Sequence, residues 1–157
     1  MTKTLAQLFK IAQVNRGDRA ILVKAAVLLI LIRIGLRLLN FCTLRRLLAK
    51  IARPRQSQQI SVYKIIWAIT MVSPHIPGVK CLARALAAQV MLSQQDYPNQ
   101  LRIGVGNRQG QFIAHAWVEH RGRTVIGGIG NMSKHYNVMS LPEWERIHTY
   151  QTYAIAD

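Results

Sequence analysis

Apolar residues along this chain follow a helical spacing in its first two thirds and then switch to strict alternation. Leu5, Leu8, Phe9 and the pair Ile11–Ala12 recur three and four apart and predict a short helix over residues 2–15. Asn15-Arg16-Gly17-Asp18 supplies a stop and a fresh start, because the Asp18 carboxylate can accept hydrogen bonds from the unpaired amides of a following helix. That helix should run from Arg19 to Leu39. A break at Asn40–Thr43 and a brief basic helix over Leu44–Ala52 lead to Arg53-Pro54-Arg55-Gln56-Ser57-Gln58-Gln59, the best linker in the chain. The division placed there separates a basic helical segment, residues 1–56, from a second domain, residues 57–157.

Past the linker, Ile65, Ile66, Ile69 and Val72 predict a helix over Ile60–Val72, which Ser73-Pro74-His75-Ile76-Pro77-Gly78 cannot continue. Cys81–Leu92, rich in Ala and Leu, predicts a helix buried on most sides. After Pro98 the period becomes two: Leu101, Ile103 and Val105 alternate with Arg102 and Gly104 as in a half-buried strand. A turn over Gly106–Gly110 and strands over Phe112–Glu119 and Thr124–Ile126, joined at His120-Arg121-Gly122-Arg123, complete an antiparallel meander. The tail from Asn131 has no clear period, although Leu141-Pro142-Glu143-Trp144 could open a last short helix. The expected fold class is therefore α+β, a Cys-bearing helix packed on an antiparallel sheet behind a basic helical N-terminal extension.

Composition narrows the partners. The 157 residues, half of them hydrophobic, suffice for one core. Twenty-one Lys and Arg stand against six Asp and Glu, a net charge of +15, and residues 1–60 hold twelve of the cations and a single acid, Asp18. Such a segment attracts nucleic acid, an anionic membrane surface or an acidic peptide. Nucleic acid is disfavoured: Trp67, Trp117 and Trp144 are not interleaved with basic residues as stacking platforms require, and no helix-turn-helix or zinc pattern is present.

Ala20–Leu39 has the length of a membrane span, but Lys24, Arg33 and Arg37 leave only Ala25–Ile32 uncharged. A charge near the bilayer centre costs several kcal/mol, so packing against the rest of the protein is expected and peripheral membrane contact stays open. Two cysteines, Cys42 and Cys81, form no disulfide framework, and the first ten residues lack a secretory pattern. The expected location is the cytoplasm, with attachment to the inner membrane face left open. No metal and no cofactor are expected.

Two residues carry candidate chemistry. Cys81 stands at the predicted N-terminus of its helix, where free amides and the helix dipole favour a thiolate, and Lys80 and Arg84 add positive potential. His115 lies on a predicted strand and shares one face with Trp117 and Glu119. A histidine on a rigid strand facing a Cys-bearing helix end is the geometry of a thiolate–imidazolium pair. Taken singly, Cys81 reads more readily as a buried structural cysteine and His115 at least as readily as a core histidine; their combination is what points to catalysis.

The run Ile76-Pro77-Gly78-Val79-Lys80-Cys81-Leu82-Ala83-Arg84-Ala85-Leu86-Ala87, then Leu101-Arg102-Ile103-Gly104-Val105, then Ala114-His115-Ala116-Trp117-Val118-Glu119 and Gly122 resembles the leader peptidases of lasso peptide biosynthesis. These are transglutaminase-like B proteins related to the microcin-processing enzyme, and the three blocks arrive in the family's order and spacing over residues 60–130. The resemblance implies a transglutaminase/papain-like catalytic core and a cysteine peptidase that removes the leader of a ribosomally made precursor. It makes Cys81 the nucleophile and His115 the general base and acid. It also implies three partners: the precursor's leader region, a leader-recognition protein and an ATP-dependent lasso cyclase.

The family's usual Asp falls where this chain reads Val125-Ile126-Gly127-Gly128, which leaves Asn131 or Glu119 as the candidate orienting residue, or a dyad with none. Two other readings stay open. Acyl transfer to an amine uses the same Cys–His pair, and a non-catalytic basic module would bind membrane or nucleic acid without needing Cys81 at all.

Overall fold

The structure is a computed structural model that describes residues 16–54, 59–108, 111–128 and 136–138. The expected helix over residues 2–15 and the tail elements after residue 138 lie outside the described residues. Four helices come first: α1 (Arg16–Leu38), α2 (Phe41–Ile51), α3 (Val62–Val72) and α4 (Cys81–Gln94), with a 3-10 turn at Ser73–His75. Four strands follow: β1 (Gln100–Arg108), β2 (Gln111–His120), β3 (Arg123–Ile126) and β4 (Asn137–Val138). They form one antiparallel sheet in the order β3-β2-β1-β4, so the fold is α+β.

Each helix start has a local cause. α1 begins three residues ahead of expectation, and Asp18 lies in its first turn instead of capping it. The Asp18 carboxylate, favourable there against the helix dipole, pairs with Lys64 of α3. The expected break at Asn40–Thr43 shrinks to a cap: Asn40 is extended and its side-chain oxygen accepts from the Thr43 amide at 2.9 Å. Ser61 does the same for α3, accepting from the Lys64 amide at 3.3 Å.

α4 is the hub. Ala83 and every residue from Ala85 to Gln94 are buried, and its alanines let α1, α3 and the sheet approach closely. α1 contributes Ile21, Leu22, Ala25, Leu28, Leu29 and Ile32 at helical spacing to the same core, which also takes Ile65 and Ile69 of α3. Full burial of each such aliphatic side chain contributes roughly 1.5–3 kcal/mol. Helices from both sides of residue 56 thus share one hydrophobic interior.

Two buried amides lock the far end of α4. Gln94 Nε2 donates to the Ile51 carbonyl at 2.7 Å, and Gln95 Oε1 accepts from the Ile60 amide at 2.8 Å. The end of α2 and the entry to α3 are thereby tied to the C-terminus of the central helix. Asp96, at φ 59°, turns the chain out of α4 toward the sheet.

In the sheet, Leu101 faces Val118 and Ile103 faces Ala116 across β1 and β2, and these four pack with the helices. Alternation therefore places Arg102, Gly104, His115, Trp117 and Glu119 in the other set. β1 does not turn at Gly106 as the sequence suggests: Gly106 pairs with Ile113 and Asn107 with Phe112, and the ladder runs on to Arg108 and Gln111. Ladder hydrogen bonds extend the strand through a glycine that alone favours a turn. β2 and β3 join through Arg121 (φ 50°) and Gly122 (φ 74°), the two positive-φ positions of a tight hairpin turn. Among the described residues, no helix is long and apolar enough to cross a membrane.

Candidate active site

Cys81 occupies the first position of α4. Lys80 precedes it in an extended conformation and offers no side-chain cap, and the first turn carries no acid. The first hydrogen bond of the helix runs from the Arg84 amide to the Lys80 carbonyl at 3.2 Å, so the amides of Cys81, Leu82 and Ala83 have no acceptor within the helix. Such a terminus stabilises negative charge, whether a thiolate or the oxyanion of an acyl-transfer intermediate.

The entry to this helix end is shaped by Gly78. Its φ of 77° belongs to glycine, and a Cβ there would stand 2.7 Å from the Arg33 guanidinium of α1. The loop ahead of the thiol is thus held against the first helix.

His115 sits on β2 opposite Gly104. It lines a cavity of about 200 Å³ together with Val79, Lys80, Cys81 and Arg84 from the start of α4 and Gly127 and Gly128 from the end of β3. Cys81 and His115 are thus brought to one site, each half-buried. The rest of the wall is Val79, two cations and two glycines: Lys80 is exposed, and the Arg84 Nε is buried with no acceptor among the described residues.

The imidazole is fixed on three sides. Its Nε2 meets the Gly127 carbonyl, and because a carbonyl can only accept, that nitrogen carries the hydrogen. Nδ1 is left as the nitrogen able to take a proton. The ring stacks on Tyr136 at 5.6 Å and 27° and on Trp117 at 6.3 Å and 19°. Trp117 is fully buried, with Tyr136 at 5.8 Å. Gly104 makes this stack possible, since a Cβ there would come within 2.7 Å of Tyr136 and 2.9 Å of Trp117.

Gly127 lies in the stretch Val125–Gly128 where the resemblance leads one to seek an acid. Its φ is 96°, and a Cβ would meet the Ala116 carbonyl at 2.6 Å and the Trp117 Cβ at 2.7 Å. No side chain fits, and the backbone carbonyl takes the place of an orienting side chain.

Of the two candidate orienting residues, Asn131 lies outside the described residues. Glu119 is four residues beyond His115 on β2, roughly 13 Å along the strand. Its carboxylate accepts from Trp117 Nε1 at 2.9 Å and from Arg102 Nε at 3.4 Å. It therefore steadies the indole beneath the imidazole, and the contact at His115 Nε2 is made by Gly127. Sequence reasoning missed Gly127 and Tyr136: a main-chain acceptor has no residue type of its own, and Tyr136 lies in a stretch with no period. The remaining described histidines stand elsewhere, His75 exposed in the 3-10 turn and His120 bonded through Nδ1 to the Pro98 carbonyl at 2.5 Å.

A cysteine at a helix N-terminus, an oriented histidine on the adjoining sheet and a cavity between them can perform acyl transfer through a thioester. No curated protein and no solved structure matches the chain. Residues 26–141, well over half its length, match the transglutaminase-like superfamily, from inside α1 to past β4. The later half of α1, the other three helices, the sheet and the Cys–His cavity fall within that match, and the chain belongs to the transglutaminase-like superfamily.

Proposed function

We propose that the protein is a cysteine peptidase that cleaves the leader from a ribosomally made lasso peptide precursor, with Cys81 as nucleophile and His115 as general base and then acid. The observation that carries the chemistry is the single cavity lined by Cys81 at the uncapped start of α4 and by His115 held through Nε2. His115 Nδ1 takes the thiol proton as the Cys81 sulfur attacks the scissile carbonyl, the free amides of the α4 terminus receive the developing oxyanion, and Nδ1 then gives that proton to the leaving amine. Water then enters, His115 removes its proton, the hydroxide adds to the thioester carbon, and the C–S bond breaks to free the leader as His115 returns the proton to the Cys81 sulfur. The choice of lasso precursor rests on the sequence blocks around Cys81, Ile103 and His115.

A leader-recognition protein presents the leader, and an ATP-dependent cyclase consumes the freed core. An acidic leader or partner suits the +15 charge.

Mass spectrometry of a cognate precursor incubated with the recognition protein and either the unmodified chain or Cys81→Ala tests this. Cleavage at the leader–core junction by the unmodified chain alone is expected. Equal cleavage by both, or none despite confirmed precursor binding, overturns it. Added hydroxylamine separates the acyl-transfer alternative: a hydrolase yields mainly free acid, whereas a transferase yields mainly hydroxamate.

A further inference from the structure

α1 presents two apolar faces where a helix at the surface of a folded domain needs only one. The inner face, through Ala25, Leu29 and Ile32, is fully buried. On the opposite side Val23, Val27, Ile30, Leu31, Ile34 and Leu38 recur three and four apart and stand 44–76% exposed. At the α-helical repeat these six fall within a sector of about 100°. Toward the C-terminus of α1 the stripe meets Leu47 and Ile51 of α2, both also exposed, and the two helices enclose an open groove of about 460 Å³ whose lining holds one charged residue, Lys50.

The surroundings of this apolar surface are cationic. Arg37, Arg46, Lys50 and Arg53 are all exposed around the groove end of the two helices. The single acid in residues 1–60, Asp18, is paired with Lys64 at the far end of α1. Among the described residues, α1 and α2 carry no other acid to compete with an incoming phosphate.

We propose that this face lies on the surface of an anionic phospholipid bilayer, with the α1 stripe in the interfacial region and the arginines and Lys50 among the headgroups. An apolar stripe bordered by cations is what a bilayer surface binds, because acyl chains receive the first and lipid phosphates the second. The helix rests on the membrane and does not cross it, consistent with the absence of any spanning helix among the described residues. Charge separates this occupant from a second copy and from the chain's own first fifteen residues. A second copy would bring another surface of the same sign on a chain of +15, and residues 1–15 carry Lys3 and Lys10 with no acid. Nucleic acid would satisfy the cations but leave the stripe in water.

Co-sedimentation of the full chain with vesicles tests the proposal, using phosphatidylcholine alone and phosphatidylcholine with roughly 30% phosphatidylglycerol, the kind of anionic surface to which basic amphipathic helices bind. Binding to the anionic vesicles alone is expected, with marked release in high salt. Ile34→Glu and Leu38→Glu, at exposed positions, should abolish it while leaving the circular dichroism spectrum and melting temperature unchanged. Arg46→Gln and Lys50→Gln should each weaken it about fivefold. Failure to bind either vesicle, or binding unaffected by Leu38→Glu, overturns the proposal. So does self-association in solution that Leu38→Glu breaks in the absence of vesicle binding, which would assign the face to a second copy.

Discussion

At the scale of single residues, the candidate site depends on positions without side chains as much as on Cys81 and His115. Gly127 supplies the acceptor for His115 Nε2 from a backbone at φ 96°, with the Ala116 carbonyl 2.6 Å from any added Cβ. Gly127→Ala should therefore destabilise by about 1–3 kcal/mol, through left-handed strain and overlap with β2, and should lower turnover by more than the lost folded fraction explains. Thermal unfolding alongside initial rates checks both parts. Arg84 gives a second prediction. Its buried Nε has no acceptor among the described residues and it lines the Cys81 cavity, so a substrate carbonyl or carboxylate is its natural partner. Arg84→Met, which keeps the aliphatic stem, should raise KM about tenfold or more with little change in melting temperature, since a charged hydrogen bond contributes roughly 1.5–3 kcal/mol. An unchanged KM would remove Arg84 from substrate binding.

At the scale of elements, what was legible in the sequence was what side-chain periodicity encodes. The Ala- and Leu-rich run after Cys81 announced α4, and alternation through Leu101, Ile103 and Val105 announced β1. Periodicity also placed His115, Trp117 and Glu119 on one face, but it could not say that four residues of strand put Glu119 out of reach of the imidazole. β4 was illegible because a two-residue strand owes its existence to pairing with Gly104 and Val105 of β1 and to nothing in its own pattern. Likewise Asp18 had the chemistry of a cap, yet Lys64 on another helix drew it into an ion pair inside the first turn. The ties at the end of α4 are tertiary in the same sense. Gln94→Leu should cost about 1–3 kcal/mol, because it leaves the Ile51 carbonyl without its buried donor. Denaturant unfolding measures that loss.

At the scale of the whole molecule, the helices before the linker and the sheet after it are joined through α4 into one interior. The composition signalled a basic segment ahead of residue 56, but composition does not reveal that Leu29 and Ile32 of that segment pack in the same cluster as Leu86 and Val118. Leu29→Ala should therefore cost about 2–5 kcal/mol, and helix ellipticity and tryptophan fluorescence should shift to the same lower midpoint. Two separate transitions would show instead that the helical half and the sheet unfold independently. The charge asymmetry belongs to this scale too: the cations that border the α1 stripe lie on α1, on α2 and just past the end of α2, while the Cys81 cavity lies where α4 meets the sheet. One molecule thus presents an apolar, cation-bordered surface and a Cys–His cavity built from different elements.

The acceptor facing His115 is main chain, and this changes what mutagenesis can see. An alanine scan of the described residues would return Cys81 and His115 as indispensable and would register no side chain that orients His115 through Nε2, because no codon change deletes a carbonyl. Only chemical synthesis reaches it: replacing the amide that follows Gly127 with an ester turns the carbonyl into a poorer acceptor while leaving every side chain in place.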